Sequence, residues 1–267
     1  MDSFLQKYGP AALITGASSG IGKSFADLLA GRGFDLLLVA RREERLQAVR
    51  SDLQSRFGVQ VHILVQDLTE PGAAGRIYDF AAENNLQIGL LINNAGYGSY
   101  GEFDRLNLDS ELKMIDLACR AMAELAHRFI PDMKRRGRGG VIFLSSVVSR
   151  IATPYMANYS AGKAYEFALA NALHGELKPY GIDVLALLPG TTDTEFFDIA
   201  QMKRNASFLK RTPRQAAQTA LRAIGKRSYV IDGVVYKLFI FIARLIPTRL
   251  MIRLAGFVLR PGGNEEL

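Results

Sequence analysis

Residues 15–22, Thr-Gly-Ala-Ser-Ser-Gly-Ile-Gly, decide the fold of this 267-residue chain. The short apolar run 11–14 leads into them, and apolar residues at helical spacing follow. Glycines placed in this way allow a tight turn, a close backbone approach to a pyrophosphate and close helix–strand packing, and the helix N-terminus attracts phosphate. The stretch therefore predicts a dinucleotide site, the alternative being a glycine-rich turn without a ligand. The expected contacts come from Gly16, Ser18, Ser19, Gly20, Ile21 and Gly22.

Further apolar runs predict the rest of a sheet. Helical patterns separate these runs, most clearly at 111–135 and 158–178. Strands that alternate with helices imply right-handed crossovers and a parallel sheet covered on both faces. We predict one α/β domain over residues 1–267, a doubly wound parallel sheet of Rossmann type flanked by helices, with a helical C-terminal appendix from about 235 to 267. The runs are 35–40, 59–65, 88–92, 141–144, 184–188 and 229–231.

Charge is distributed unevenly along the chain. Residues 1–200 hold 20 basic and 23 acidic residues, whereas residues 201–267 hold 13 basic and 3 acidic, so the net charge of +7 arises in the last quarter. This distribution argues against a protein that coats nucleic acid. A hydrophobic fraction of 49% excludes disorder as the main state.

Cysteine, histidine and hydropathy set further bounds. The single cysteine, Cys119, cannot form an intramolecular disulfide, which fits a reducing, cytoplasmic setting. The three histidines, His62, His127 and His174, lack ligand spacing, so we expect no metal site. The first ten residues lack a signal-peptide run, and no uncharged apolar stretch reaches the length of about 18 residues that spans a bilayer.

The end of the second predicted strand bears on the choice of dinucleotide. Arg41 and Arg42 stand where NAD-preferring sites place an acid for the ribose 2′-hydroxyl, and an arginine there suits the 2′-phosphate of NADP. Glu43 and Glu44 fall in the expected first turn of the next helix. We therefore predict NADP(H) in preference to NAD(H), with Arg41 the better candidate. The alternative is that both arginines are solvated.

Additional motifs follow residues 15–22 in a characteristic order: Asp67, residues 93–96 (NNAG), Ser146, residues 159–163 (YSAGK) and the pair Pro189 and Gly190. Together they make the chain resemble the short-chain dehydrogenase/reductase family over about residues 10–200, and their joint occurrence is far more specific than any one of them. The resemblance implies an oxidoreductase that transfers a hydride between a nicotinamide and a CH–OH or C=O group.

Three residues are assigned the proton chemistry. Reduction of a carbonyl leaves an alkoxide that needs a proton, which Tyr159 can donate. Lys163, four residues later on the same helical face, is expected to lower the tyrosine pKa from its ordinary value of about 10. Ser146, at the end of a strand, can hydrogen-bond the substrate oxygen. Tyr159 is preferred to Tyr155 because it has the lysine, and Ser146 to Ser145 because the family places its serine thirteen residues before the tyrosine.

The resemblance also implies cofactor contacts and assembly. Asp67 would contact the adenine, Thr194 the carboxamide, and Lys163 the nicotinamide ribose. Asn94 has an alternative role as a turn former. The family further suggests a homodimer or homotetramer. The remaining implied contacts come from Asn94, Ala95, Gly96, Pro189 and Gly190.

One position departs from the family pattern. Many members carry an asparagine in the long helix before the serine strand, at a backbone kink that holds a water of the proton relay. Here the position is Ala118, which favours continuous helix and offers no side-chain hydrogen bond. The departure leaves open an alternative function as a catalytically weak NADPH-binding sensor or interaction protein.

Apolar residues around the predicted site indicate a hydrophobic ketone or secondary alcohol as substrate, with core or interface packing as the alternative. They are Phe196, Phe197, Ile199, Met202, Phe208 and Leu209 after the Pro-Gly pair, with Tyr97, Tyr100, Ile151, Tyr155 and Met156.

The last residues form a basic amphipathic pattern. A helix is predicted to begin at Pro247, and the pattern suits peripheral contact with an anionic membrane. The alternative is a solvated face on helices that pack against the domain or a second subunit. The basic residues are Lys237, Arg244, Arg249, Arg253 and Arg260.

Overall fold

The computed structural model describes residues 2–200 and 210–261. Among these residues, seven parallel strands form one sheet in the order β3-β2-β1-β4-β5-β6-β7. Strands β2 and β3, which follow β1, are added on one side of it, and β4 and the strands that follow it on the other, so the strand order reverses between β1 and β4. The strands are β1 (Ala11–Thr15), β2 (Asp35–Ala40), β3 (Val61–Val65), β4 (Ile88–Asn93), β5 (Gly139–Leu144), β6 (Ile182–Pro189) and β7 (Tyr229–Asp232).

Helices cover both faces of the sheet, which confirms the predicted fold class. One face packs against α2, α3 and α9, and the other against α4, α6 and α7. Strands buried on both faces explain the continuous apolar runs. The helices are α1 (Ser3–Tyr8), α2 (Gly20–Ala30), α3 (Glu43–Phe57), α4 (Ala73–Glu83), α5 (Leu108–Ile115), α6 (Met122–Arg136), α7 (Ala157–Leu177), α8 (Phe196–Ile199), α9 (Pro213–Ala223), α10 (Val234–Ala243) and α11 (Thr248–Val258).

The long helix predicted over 111–135 is interrupted. A π-helical turn, Asp116–Ala121, lies between α5 and α6, and Ala118 is inside it, so the expectation of continuous helix at Ala118 is wrong. Tertiary contacts outweigh the helical preference of alanine here. Ala118 packs on α7 at Gly162, where an added Cβ would lie 3.0 Å from the alanine methyl. The Asn93 side chain donates to the Met122 carbonyl, 3.1 Å away, at the end of the turn.

The C-terminal appendix consists of α10 and α11. Pro247 caps α11 as the sequence predicts, and Arg249 and Arg253 lie on this helix, whereas Arg260 follows its end. The Tyr100 hydroxyl donates to the Leu259 carbonyl over 2.7 Å and so ties the end of the appendix to the loop after β4. Within the described ranges, the structure has no helix with the length and apolar character needed to cross a bilayer.

Candidate active site

A cleft of about 450 Å³ opens at the carboxyl ends of the strands, where the strand order reverses. This is the position at which open α/β sheets bind ligands. The cleft brings together all the residues predicted for catalysis and cofactor binding except Gly22. Those on its lining are Gly16, Ser18, Ser19, Gly20, Ile21, Arg41, Asp67, Asn94, Ala95, Gly96, Ser146, Tyr159, Lys163, Pro189, Gly190 and Thr194.

The glycine-rich turn requires residues without a side chain. Gly16 and Gly20 have φ of +66° and +55°, a region that favours glycine. Gly22 lies behind the cleft wall, where an added Cβ would be 2.4 Å from the Gly16 carbonyl oxygen and 2.6 Å from the Asn94 amide nitrogen. The turn therefore keeps its backbone open to the cleft at the N-terminus of α2, which fits the pyrophosphate of a dinucleotide.

Hydrogen bonds join the turn to the end of β4. The Thr15 hydroxyl oxygen accepts from the backbone N–H groups of Asn94 and Ala95, at 2.9 and 3.0 Å. The Asn94 side chain donates to the Thr15 carbonyl over 2.7 Å. Asn94 thus joins the two segments through both its backbone and its side chain, which is a more specific role than that of a turn former.

The two arginines after β2 have different surroundings. The Arg42 guanidinium donates to the hydroxyls of Ser18 and Ser19, at 2.9 and 2.8 Å, and to the Glu195 carboxylate over 2.8 Å. Arg41 is 68% exposed in its side chain and lies 3.7 Å from the Asp67 carboxylate. The sequence ranked Arg41 first, whereas the geometry gives Arg42 the hydroxyl partners.

Glu195 was not predicted from the sequence. Its carboxylate accepts hydrogen bonds from Arg45 and Arg42, which lower its pKa to about 2. It marks a place near Ser18 and Ser19 where two guanidinium groups hold an anionic carboxylate, as they would hold a phosphate.

Tyr159, Lys163 and Ser146 meet in the cleft. Ser146 caps the 3₁₀ turn Val147–Arg150 after β5, and its hydroxyl oxygen accepts from the Val148 N–H at 3.4 Å. The Lys163 ammonium lies 5.9 Å from the centre of the Tyr159 ring. The rejected Ser145 serves a structural purpose, since its hydroxyl donates to the Lys163 carbonyl over 2.7 Å.

The pKa of Tyr159 is raised, opposite to the direction predicted from the sequence. Burial is the largest cause, since it disfavours the phenolate. The Lys163 charge and a hydrogen bond from Ser146 lower the pKa, and the negative charge of Glu166 raises it again. The Lys163 charge therefore lowers the Tyr159 pKa as predicted, but the opposing effect of burial is larger.

Glu166 is a second residue that the sequence reasoning missed. Both of its carboxylate oxygens lie 3.0 Å from the Lys163 Nζ, and that nitrogen also donates to the Leu144 carbonyl over 2.7 Å. Burial raises the Glu166 pKa to about 7 against the opposing effect of Lys163. Its spacing of three residues after Lys163 was the available signal.

The end of the cleft near Tyr159 is aromatic. Tyr159 and Phe196 rings lie 5.1 Å apart between centres. Tyr236 of α10, not predicted for the site, packs against Gly190, where an added Cβ would lie 2.2 Å from its ring. Tyr100, Ile151 and Tyr155 do not line the cleft. The predicted residues that do are Phe196, Phe197, Tyr97 and Met156, while Met202, Phe208, Leu209 and the Ile199 side chain fall outside the described parts of the structure.

Comparison with known proteins identifies relatives of the chain. The model of a family described as short chain dehydrogenase matches residues 10–205. A very-long-chain 3-oxoacyl-CoA reductase of Anas platyrhynchos is 31% identical over 92% of this chain and 78% of its own length. An inactive hydroxysteroid dehydrogenase-like protein 1 of Homo sapiens is also 31% identical, over 83% of this chain and 67% of that protein.

Solved structures give the same picture. The chain matches a 7beta-hydroxysteroid dehydrogenase with a TM-score of 0.87 and 27% identity, over 95% of this chain and 99% of the other. It matches a short-chain dehydrogenase of Sphingobium yanoikuyae in complex with NADPH with a TM-score of 0.79 and 33% identity, over 89% and 93% of the two chains.

The Gly22 contact generates a prediction about binding. Gly22→Ala would place a methyl against the Gly16 carbonyl and the Asn94 amide, and the resulting displacement should weaken binding of a nicotinamide dinucleotide at least about tenfold, or about 1.4 kcal/mol. Isothermal titration calorimetry with NADPH measures this. Gly175→Ala in α7 is the control, because an added Cβ there has no neighbour within 4 Å. Equal affinities of the two variants would contradict the prediction.

Proposed function

Because the chain belongs to the short-chain dehydrogenase family, an oxidoreductase family acting on CH–OH and C=O groups with a nicotinamide cofactor, we propose that it is an NADP(H)-dependent enzyme for hydrophobic ketones or secondary alcohols. The observation that carries the proposal is the meeting of Ser146, Tyr159 and Lys163 in the same cleft as the glycine-rich turn. The nicotinamide, when bound, supplies or accepts the hydride.

Each of the three side chains has a distinct task in the proposed reduction. The hydroxyls of Ser146 and Tyr159 hold the substrate oxygen as negative charge develops on it. Tyr159, whose pKa is raised by burial, stays protonated at neutral pH and gives its proton to that oxygen. The Lys163 charge stabilises the phenolate that remains, until water returns the proton.

The proposed preference for NADP(H) rests on the cationic end of the cleft. Arg42, Ser18 and Ser19 together present guanidinium and hydroxyl donors, and Arg41 lies alongside them on the lining. Such a donor set suits a phosphate monoester better than a ribose hydroxyl. The NADPH complex of the Sphingobium yanoikuyae relative supports the same choice.

The substrate class follows from the aromatic end. Phe196, Phe197, Tyr97, Met156 and Tyr236 line it, so an apolar carbonyl compound would bury its surface there. The relatives whose names refer to hydroxysteroids and very-long-chain oxoacyl compounds support a bulky, lipid-like substrate.

A second candidate function is an NADPH-binding sensor with little turnover. Ala118 in place of the family's asparagine and the relative named as inactive favour it. Against it stand the intact trio of Ser146, Tyr159 and Lys163 and the π-helical turn, which is present without the asparagine. Measured turnover separates the two candidates.

Replacement of the proton donor tests the enzyme proposal. Tyr159→Phe removes the hydroxyl, and carbonyl reduction should fall at least about a hundredfold in kcat, the range of general acid catalysis, while NADPH affinity changes by less than about threefold. Tyr165→Phe, on the same helix but exposed, should keep its activity. Turnover of a panel of apolar ketones, followed by NADPH absorbance, gives the rates. Undiminished turnover of Tyr159→Phe would contradict the role of Tyr159.

Cofactor preference is tested at the two arginines separately. Arg42→Ala should reduce the NADPH-to-NADH ratio of kcat/KM at least about tenfold, since a charge-assisted hydrogen bond contributes about 1.5–3 kcal/mol. The variant Arg41→Ala shows whether Arg41 also contributes to binding of the 2′-phosphate. Arg50→Ala, on α3 and away from the cleft lining, is the control and should keep the wild-type ratio. A ratio that neither Arg41→Ala nor Arg42→Ala changes would contradict the assignment.

The appendix carries a large exposed apolar area, which we call the tail surface. Its side chains are 38–78% exposed, although soluble monomers rarely leave so many neighbouring apolar residues in water. The tail surface therefore needs a partner. Its members are Val234, Val235, Leu238, Phe239, Phe241, Ile242, Leu245, Leu250, Ile252, Leu254, Phe257 and Val258.

We propose that the tail surface binds an anionic membrane. Residues 233–264 include five basic residues and no acidic one, so the charge around the apolar side chains complements anionic lipid headgroups. The tail surface also adjoins the substrate end of the cleft, because Tyr236 of α10 lines the cleft. An apolar substrate dissolved in a bilayer would thus reach the site directly.

Vesicle binding tests the membrane proposal. The protein should co-sediment with phosphatidylglycerol vesicles in a salt-sensitive manner, and the double change Arg249→Glu and Arg253→Glu should weaken binding at least about tenfold, at about 1 kcal/mol per basic residue. The same reversal at Arg222 and Lys226, exposed on and after α9, is the control. Absence of vesicle binding, with a dimer in sedimentation that Leu245→Ser dissociates, would assign the tail surface to a second copy and overturn the proposal.

A further inference from the structure

The side chain of Lys163 is held away from solvent by two acceptors. Its ammonium donates to the Leu144 carbonyl at the end of β5 and to the carboxylate of Glu166, at 2.7 and 3.0 Å. Both charged side chains are nearly inaccessible, at 6% exposure for Lys163 and 2% for Glu166. A buried carboxylate is costly unless it is paired, so the site contains an ion pair whose two members need each other.

Neutral groups would fill this space at lower cost. Replacing a buried ion pair by apolar side chains is often neutral or stabilising, so packing alone does not account for a carboxylate here. Lys163 already has a second acceptor in Leu144, and the π-helical turn packs the Ala118 methyl against Gly162 of α7. Glu166 is therefore the charged partner of Lys163, and its effect extends to Tyr159, two helical turns earlier.

A small cavity lies beside the pair. It has a volume of about 10 Å³, enough for roughly one water molecule, and Ala118, Tyr159 and Lys163 are on its lining. The short Ala118 side chain leaves this space open between the π-helical turn and α7. The phenol and ammonium thus border the same cavity, while Glu166 approaches the ammonium from elsewhere, since it is absent from the lining.

We propose that Glu166 is a positioning residue of the active site, whose carboxylate holds and neutralises the Lys163 ammonium and thereby keeps the Tyr159 phenol protonated as the donor for carbonyl reduction. The inference rests on the function proposed above. In the reductive step the Tyr159 O–H bond breaks, its proton bonds to the substrate oxygen as the hydride reaches the carbonyl carbon, and water then reprotonates the phenolate. Glu166 exchanges no proton in this step, and above its pKa of about 7 its negative charge sets how readily the phenol ionises.

The direction follows from the charges that face the trio. The groups that act on Lys163 are Glu166, Tyr159 and, from the π-helical turn, Cys119. Of the charged groups on two other elements packed on α7, Arg150 of the 3₁₀ turn stacks over the Phe167 ring at 4.4 Å, and the buried Glu111 of α5 acts on Tyr97. Removing the Glu166 charge leaves Lys163 uncompensated, which favours phenolate and lowers the Tyr159 pKa.

The test uses tyrosinate absorbance of the cofactor-free protein. The Tyr159 titration is obtained as the difference between each protein and its Tyr159→Phe counterpart. In Glu166→Gln the Tyr159 midpoint should fall at least about one pH unit below wild type, a tenfold change in acidity. Glu176→Gln, an exposed glutamate on the same helix, should match wild type. An unchanged or higher midpoint in Glu166→Gln overturns the proposal.

A conservative variant and the rate profile extend the test. Glu166→Asp draws the carboxylate back from Nζ, so its midpoint should lie between those of Glu166→Gln and wild type. If Glu166→Gln does not fold, a midpoint of Glu166→Asp equal to wild type overturns the proposal. In the active enzyme, the alkaline limb of kcat/KM for reduction should move to lower pH in Glu166→Gln by the same amount, because the protonated phenol is the reactive form.

The two proposals fail in different ways. If Tyr159→Phe retains turnover, the role of Tyr159 in catalysis is wrong, yet the titration of the cofactor-free protein still reports whether Glu166 sets the Tyr159 midpoint. If Tyr159→Phe is inactive and the titration midpoint is insensitive to Glu166, the catalytic proposal stands and the role of Glu166 falls.

Discussion

The site depends on the hydrogen-bonded junction between the ends of β1 and β4. Thr15 accepts two backbone N–H groups from Asn94 and Ala95, and the Asn94 side chain returns a hydrogen bond to the Thr15 carbonyl. The junction fixes the glycine-rich turn at the place where the strand order reverses. Gly22 permits it, since any Cβ there would displace Asn94. A parallel sheet directs the other functional side chains to the same edge, so local backbone packing determines where the chemistry occurs.

The electrostatics of the site follow from burial. Low solvent access raises the pKa of Tyr159 and of Glu166. Because water screens little there, the charges of Glu166 and Lys163 also act more strongly on neighbouring groups. Tyr159, the proposed proton donor, and Glu166, its proposed positioning residue, are thus on one helix, α7. The basic excess of the chain lies in residues 201–267, and five of these basic residues belong to the appendix that carries the tail surface. We propose that charged residues of the cleft serve cofactor binding and proton transfer, and that those of the appendix serve membrane binding.

The sequence predicted what depends on local pattern. The run 35–40 coincides with β2, and all the cofactor and catalytic residues named from motifs except Gly22 line one cleft. It failed where distant contacts decide. Packing of α7 on Ala118 supports a π-helical turn against alanine's preference, burial reverses the pKa direction of Tyr159, and Glu195 meets Arg42 across a separation that no spacing reveals. Glu166 had a sequence signal, its helical spacing from Lys163. That spacing did not reveal that both side chains are buried, which makes their pairing matter for the site.

Transfer of deuterium tests the central claim that the cleft performs hydride transfer to an apolar carbonyl. The protein is mixed with NADPH that carries deuterium at both nicotinamide C4 positions and with a set of bulky apolar ketones, and the products are examined by mass spectrometry. Our account predicts a secondary alcohol with one deuterium on its carbinol carbon. Tight NADPH binding without labelled alcohol from any ketone, including steroid and long-chain oxoacyl compounds, would contradict it and favour the sensor.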